Sequence, residues 1–129
     1  MKNIAIKENH LYAKTYKSGK RFVGRYVAVY VLRDLKAKQL RDAHPEKRFV
    51  NRLGLSVSKK VGGAVVRNRA KRIIRAAYDG IRDQLKCGNL IVISARGAIV
   101  GKKTPDVARE LETAFHKLEL IGSQSETKK

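Results

Sequence analysis

Residues 64–81 carry two patterns that a single helix has to satisfy. Apolar side chains recur at the three- and four-residue spacing of an α-helix, which predicts one buried stripe. The stripe consists of Val66, Ala70, Ile73, Ile74, Ala77 and Ile81. The remaining surface is basic or amide-bearing, with Asn68, Lys71, Arg72 and Arg75 opposite the stripe and Arg67 and Arg69 on its flanks. We therefore expect a helix that begins after Gly63, ends near residues 86–88, and lies on a second layer with its cations outward.

Positive charge is concentrated around this helix. The chain has 30 Lys and Arg residues against 11 Asp and Glu, a formal net charge of +19. Ten of the basic residues fall between residues 47 and 78, where there is no acidic residue: Lys47, Arg48, Arg52, Lys59, Lys60, Arg67, Arg69, Lys71, Arg72 and Arg75. A solvated surface is the ordinary explanation for a charge run. Ten cations without acidic neighbours repel one another, however, and favour a polyanionic partner.

Length and composition exclude several classes of protein. A chain of 129 residues supports one hydrophobic core, and 43% hydrophobic residues in periodic segments indicate a folded domain. No apolar run approaches the ~20 residues of a membrane span, and the first residues lack the apolar region of a secretory signal. Cys87 is the only cysteine, which excludes an intrachain disulfide and a multi-cysteine zinc site and indicates a buried or inert thiol. We expect a cytoplasmic protein.

One helix and two strands are predicted before the basic helix. Residues 9–17 show helical spacing, with Gly19 placed as a left-handed C-terminal stop. Residues 21–32 have the composition of one continuous strand, and residues 49–58 of a second, with a connecting loop at 33–46. Alternation in the first strand puts one set on one face, Phe22, Tyr26, Ala28, Tyr30 and Leu32, and the four valines 23, 27, 29 and 31 on the other. In the second strand Leu53, Leu55 and Val57 alternate with Arg52, Gly54, Ser56 and Ser58.

The C-terminal third predicts a buried strand and a last helix. Leu90–Ile93 is a continuous apolar run, typical of a central strand buried on both faces. Thr104 and Pro105 are suited to the N-cap and first position of a helix. Its predicted apolar side consists of Val107, Leu111, Ala114, Phe115 and Leu118. We expect one domain over residues 1–121 and a disordered tail at 122–129.

This order of elements favours an α+β two-layer sandwich. We expect the first two strands to form an antiparallel pair, with its Val/Leu face under helices and an open, shallow face carrying tyrosines beside small residues. The second strand, the basic helix and the last strand form a strand–helix–strand unit, which predicts one parallel pairing.

The stretch from Leu55 to Arg75 resembles the signature of the bacterial ribonuclease P protein component. The hallmark of that family is an Arg-Asn-Arg helix after a strand that ends in Ser-Lys-Lys and glycines. It is matched here by residues 58–60, 62–63 and 67–69, followed by Lys71, Arg72 and Arg75. Tyr12, Tyr16 and Gly19 match the family's first helix, and Tyr30 a strand aromatic. The resemblance covers most of residues 6–120, more loosely after Gly88, and the 33–46 loop is longer than the family minimum.

The resemblance implies a fold and a function. The fold is a mostly antiparallel sheet with a left-handed strand–helix–strand crossover, ribosomal protein S5 domain 2-like. The family protein joins a large catalytic RNA, and together they remove the 5′ leader from precursor tRNA, leaving a 5′-phosphate. By resemblance, the residues facing the catalytic RNA are Lys59, Lys60, Arg67, Asn68, Arg69, Lys71, Arg72 and Arg75. Those of the cleft for the single-stranded leader are Tyr12, Tyr16, Tyr30 and Ser56. Catalysis and the expected Mg²⁺ belong mainly to the RNA, with no catalytic or metal-binding residue in this chain and no protein partner.

The chemistry of these residues agrees with that implication. Arg67, Lys71 and Arg75 recur every four residues and form a row that can follow phosphates, which arginine binds through two parallel hydrogen bonds. Aromatic side chains beside cations are what single-stranded RNA without a fixed sequence requires. The alternative for each tyrosine, Tyr26 included, is that it completes the core between the first helix and the sheet; for Phe22 we favour the core.

Other functions remain open at this stage. A basic ribosomal or ribosome-assembly protein that binds rRNA has the same composition. An autonomous nuclease has little support, because two-metal hydrolysis needs clustered carboxylates and the basic run has none. Asp79 and Asp83 are explained as partners of Arg75 and Arg82. The three histidines, His10, His44 and His116, are too scattered for paired acid–base chemistry.

Overall fold

Five strands and three helices build the part of the chain that the structure, a computed structural model, describes: residues 4–6, 9–34, 51–86 and 88–121. The strands are β1 (Ile4–Ala5), β2 (Lys20–Val23), β3 (Val27–Arg33), β4 (Arg52–Ser56) and β5 (Asn89–Ala95). The helices are α1 (Asn9–Ser18), α2 (Ala64–Asp79) and α3 (Thr104–Lys117). Outside these ranges lie most of the predicted 33–46 loop, Lys47, Arg48, Cys87 and the predicted 122–129 tail. No helix in the described ranges is long and apolar enough to cross a membrane.

The strands form one mixed sheet in the order β1-β4-β5-β3-β2. β5 is antiparallel to β3 and parallel to β4. The predicted antiparallel pair between the first two strand segments is therefore wrong, because β5 lies between them. The apolar run at Leu90–Ile93 is fully buried in the centre of the sheet, as its composition predicted.

The segment predicted as one strand, 21–32, is a hairpin of β2 and β3. The turn is held by the Glu110 carboxylate of α3, which accepts hydrogen bonds of 2.7–2.8 Å from the backbone N–H groups of Arg25, Tyr26 and Val27. The turn also changes the alternation of faces. Phe22 and Tyr26 consequently pack against the main core rather than on the face of Tyr30. The predicted face was wrong for both residues, whereas the prediction that Phe22 belongs to the core is confirmed.

The main core lies between one face of the sheet and the two helices α2 and α3. Val27, Val29 and Val31 of β3 and the Leu53 side of β4 line it, as the alternation predicted. Val23, which was predicted on the same face, is instead 56% exposed and pairs with Ala28. From α2 the predicted stripe contributes Ala70, Ile73, Ile74 and Ala77. The helix ends at Asp79 rather than near residues 86–88, because the chain turns at Gly80 and continues as a short 3₁₀ helix, Arg82–Gln84. Ile81 still reaches the core from outside α2.

The crossover from β4 through α2 to β5 is left-handed. The N–H of Arg96 donates to the carbonyl of Tyr26, so even-numbered residues of β5 direct their backbone groups toward β3 and odd-numbered ones toward β4. On an upward strand of L-residues, a side chain that points at the viewer has its N–H and C=O on the right. We view the sheet from the α2 side, toward which Ile91 and Ile93 project, with β5 running upward. In this view β4 lies to the right of β5. The chain leaves β4, passes in front of the sheet as α2 and returns as β5 on the left of β4. This is the left-handed crossover, the rarer of the two hands, which the resemblance implied.

Two local predictions need correction. Gly19 does not have a left-handed backbone; a side chain there would meet the carbonyl oxygens of Thr15 and Val31 at 2.6 and 2.8 Å. Close packing, not a positive φ, explains that glycine. The last helix has Lys103 rather than Thr104 at its N-cap, and the Asp106 carboxylate accepts the Lys103 N–H at 3.0 Å.

Candidate nucleic-acid interface

The basic side of α2 faces outward. Asn68, Arg69, Arg72 and Arg75 are exposed, Arg67 and Lys71 are half-buried, and Lys59 and Lys60 are exposed in the turn before the helix. Gly63 at the N-cap provides no side-chain hydrogen bond, so the first N–H groups of α2 are available to an anion. The eight predicted phosphate-binding residues thus occupy one helix and the turn leading into it; we call this surface the basic helix face.

The arginines that flank the stripe have different surroundings. Arg69 donates from Nη2 to the carbonyl oxygen of Lys102 at 3.1 Å, which ties α2 to the loop before α3. The Nε of Arg67 is shielded from solvent and has no hydrogen-bond partner among the described residues. Such a donor is costly when it stays unpaired. The motif therefore combines one anchored and one incompletely satisfied guanidinium.

Arg52 is not part of the exposed basic surface. It was predicted on the open face of its strand and within the basic run, yet its side chain is only 7% exposed. Its Nε and Nη2 donate to the two carboxylate oxygens of Asp34 at 2.7 and 2.9 Å. The pair reaches across β5 from β4 to the residue after β3, so one cation of the run stabilises the fold instead of facing a partner.

The three tyrosines predicted for the cleft lie together on the other face of the sheet. Tyr12 and Tyr16 come from α1 and Tyr30 from β3, and all three pack on a second hydrophobic cluster around Leu90 and Val92. The rings of Tyr16 and Tyr30 meet edge to face with centroids 4.8 Å apart. All three remain half-buried. They serve as core and still present surface, so both predicted roles are compatible with their positions; we call them the tyrosine cluster.

The small residues of β4 have two different uses. A side chain at Gly54 would meet the phenol of Tyr12 at 2.5 Å, so this glycine admits the Tyr12 ring instead of leaving the space predicted to be open. Burial, and secondarily Tyr16, raise the pKa of Tyr12, so its hydroxyl keeps its proton. In the next row on that face of the sheet, Ser56 pairs with Ser94 of β5, and both serines are half-buried. Ser94 was missed, because only the register of β5 brings it beside Ser56.

A hollow of about 320 Å³ joins the two surfaces. Tyr12 lines it from α1, and Lys71 and Arg75 line it from α2. Between them lies the β1 edge of the sheet, with Ala5 of β1 and Leu53 and Leu55 of β4. Nothing in the sequence indicated this proximity, because α1 and α2 pack on opposite faces of the sheet.

The remaining candidates do not form a site. His10 and His116 are exposed and lie on α1 and α3, while His44 is outside the described residues. Asp79 pairs with Arg82 at 3.2 Å, and Asp83 lies 4.0 Å from the same arginine. The predicted partnership with Arg82 is confirmed, whereas no described carboxylate forms an ion pair with Arg75. In the described ranges no three His, Cys, Asp or Glu side chains are grouped as metal ligands.

Comparisons with known proteins agree with one another. A family model described as Ribonuclease P matches residues 1–119. The ribonuclease P protein component of Clostridium acetobutylicum is 36% identical over 121 residues, covering 94% of this chain and 93% of its own. That of Lachnoclostridium phytofermentans is 36% identical over 123 residues, covering 95% and 94%. A solved mutant of the Staphylococcus aureus RNase P protein superimposes with a TM-score of 0.74 at 28% identity, covering 91% of this chain and 89% of that one.

Proposed function

The chain belongs to the ribonuclease P protein family and takes part in tRNA processing, and on that premise we propose that it binds the catalytic RNA through the basic helix face and the precursor-tRNA leader through the tyrosine cluster. Family membership favours this function over the rRNA-binding alternative. The observation that carries the proposal is the hollow between Tyr12, Lys71 and Arg75. It allows a single-stranded RNA leader on the tyrosine cluster to lie directly beside α2, the helix proposed to bind the RNA subunit.

The basic helix face supplies electrostatic attraction and hydrogen bonding. Its exposed arginines donate in pairs to phosphate oxygens, and the free N–H groups at the start of α2 add donors of fixed direction. Neutralising several phosphates makes the affinity strongly dependent on salt.

The tyrosine cluster is proposed to recognise single-stranded RNA rather than a particular nucleotide sequence. The exposed parts of the Tyr16 and Tyr30 rings offer stacking surfaces that accept any base. The Ser56–Ser94 row provides a floor where a sugar or phosphate approaches the sheet closely and meets hydroxyl groups. Mature tRNA lacks the leader, so this surface distinguishes substrate from product.

We propose that bond cleavage occurs in the RNA. The Mg²⁺ expected for phosphodiester hydrolysis would be held there, because this chain's described carboxylates and histidines are dispersed or already paired. When bound, the ions activate water and stabilise the leaving oxygen. The cations of α2 lower the repulsion among nearby phosphates, so that the ion sites fill at lower Mg²⁺ concentration.

Reconstitution tests the proposed function directly. Precursor tRNA is incubated with the cognate catalytic RNA, with this protein, and with both, at low and high Mg²⁺. We expect cleavage at low Mg²⁺ only in the presence of both, with a mature 5′-phosphate product. Cleavage by the protein alone, or failure of the protein to bind the catalytic RNA, would contradict the proposal.

Tyr16→Ala should reduce the preference for precursor over mature tRNA. Loss of one stacking surface, worth about 1–3 kcal/mol per base, corresponds to about 5- to 150-fold in relative affinity. The measurement is the ratio of dissociation constants for precursor and mature tRNA with the assembled complex. Tyr16→Phe keeps the ring and should retain the preference, and a precursor with a one-nucleotide leader should be insensitive to both changes. An unchanged ratio in the alanine variant would remove Tyr16 from the leader site.

A further inference from the structure

A second group of cations lies beside the basic helix face, around the N-terminal end of α3. It consists of Arg25 in the β2–β3 turn, Lys102 and Lys103 before α3, and Arg109 in its second turn; we call it the second basic patch. Arg69 connects it to α2 through its hydrogen bond to the Lys102 carbonyl. Because of that bond, the two surfaces are continuous.

The acids of this region are already engaged. Asp106 accepts the N–H of Lys103 and pairs with Arg109 at 2.7 Å, while Glu110 accepts three backbone N–H groups of the hairpin turn. Among the described residues no carboxylate forms an ion pair with Arg25, Lys102 or Lys103. The four cations against these two carboxylates leave a net charge of +2 on this patch.

The shape and chemistry of the patch favour a phosphate backbone over a base. Of the two aromatic residues that border it, Phe22 and Tyr26, the Tyr26 ring has the Lys102 ammonium 5.5 Å from its centroid, so that ring face is occupied. Beside it is an open hollow of about 600 Å³, whose lining includes the cations Arg25 and Arg109 and the carboxylates Asp106 and Glu110. Phe22 packs against the main core, and the cations around the hollow suit the phosphate backbone of a structured RNA helix.

We propose that the second basic patch binds a phosphate backbone of the same RNA that contacts the basic helix face. The footprint of that RNA then extends from α2 over residues 102–103 to the β2–β3 turn. This inference rests on the proposed function, since it adds contacts to the RNA subunit that α2 is proposed to bind.

The test compares two double variants with equal loss of charge. Lys102→Ala with Lys103→Ala removes two patch cations; Lys86→Ala with Lys117→Ala removes two exposed lysines elsewhere. Lys117 lies about 21 Å from Lys103 along the same helix, at 1.5 Å per residue. Dissociation constants for the catalytic RNA are measured between 0.1 and 0.5 M salt, together with thermal midpoints that establish folding.

Two lost phosphate contacts should lower the log–log salt slope by about 1.8 and raise the dissociation constant at 0.1 M by up to about 60-fold. The control variant, Lys86→Ala with Lys117→Ala, should change the slope by less than about 0.45, which is half the value of one phosphate contact. Equal slopes in the two variants would overturn the patch proposal while leaving the proposed function intact. Failure of the unmodified protein to bind the RNA would overturn the proposed function, and the patch proposal with it.

Cleavage of the bound RNA by a tethered hydroxyl-radical probe provides an independent test of the proposed contact surface. In a Cys87→Ser background, a hydroxyl-radical probe is attached at Ala98→Cys, beside the patch, or at Lys117→Cys. We expect RNA cleavage from the first position and none above background from the second. The reverse pattern would contradict the proposed footprint.

Discussion

Arg67→Ala combined with Arg69→Ala should weaken binding of the catalytic RNA by about 100-fold or more. Each guanidinium is expected to make charge-assisted hydrogen bonds to phosphate, worth about 1.5–3 kcal/mol each. Arg69 has a second role, since its bond to the Lys102 carbonyl orients the loop of the second basic patch. The measurement is the dissociation constant of the protein for the catalytic RNA at fixed salt.

The double arginine variant also separates assembly from leader recognition. Once assembled at high protein concentration, it should keep the wild-type preference for precursor over mature tRNA, because the tyrosine cluster lies on the opposite face of the sheet. The Lys86/Lys117 double variant carries the same charge loss and should assemble nearly normally. Undiminished affinity in the arginine variant would take both residues out of the RNA interface.

Local periodicity was sufficient to predict most of the elements and their buried faces. The stripe of α2 and the alternation of β3 and β4 are set by residues a few positions apart, and the structure confirms them except at Val66, which is half-buried and outside the core. Strand pairing, in contrast, depends on residues that are far apart in the sequence. Nothing local in the 21–32 segment states that β5, some sixty residues later, pairs with β3 and separates it from β4. Gly24 within that segment was the available signal for a turn, but its stabilising partner, Glu110, is remote in sequence.

The candidate site was predictable to the same extent. Exposure of the basic helix face follows from its position opposite the stripe. Contacts between elements did not follow: Tyr12 covers Gly54, Ser94 lies beside Ser56, and Lys71 approaches Tyr12. Charge counting also failed at one position, because a cation in a basic run and a cation in a buried ion pair look alike in sequence. Arg52 is that position.

Asp34→Ala should lower the free energy of unfolding by about 3–5 kcal/mol. The Asp34 and Arg52 side chains are 3% and 7% exposed, and removing the carboxylate leaves a guanidinium in a site that excludes water. That loss is a large share of the ~5–15 kcal/mol that stabilises a domain. Urea unfolding followed by circular dichroism measures it. Lys20→Ala, which breaks an exposed pair with Glu119 at 3.9 Å, should cost less than about 1 kcal/mol.

A double variant of the same ion pair tests the role of Arg52. Asp34→Leu with Arg52→Leu removes both charges and should recover most of the lost stability, since apolar replacements of a buried pair are close to neutral. If Arg52 only stabilises the fold, this double variant should also bind the catalytic RNA with wild-type affinity and salt slope. A slope lowered by about 0.9 would instead make Arg52 a phosphate contact. Asp34→Ala that unfolds no more easily than Lys20→Ala would show that the pair is not desolvated.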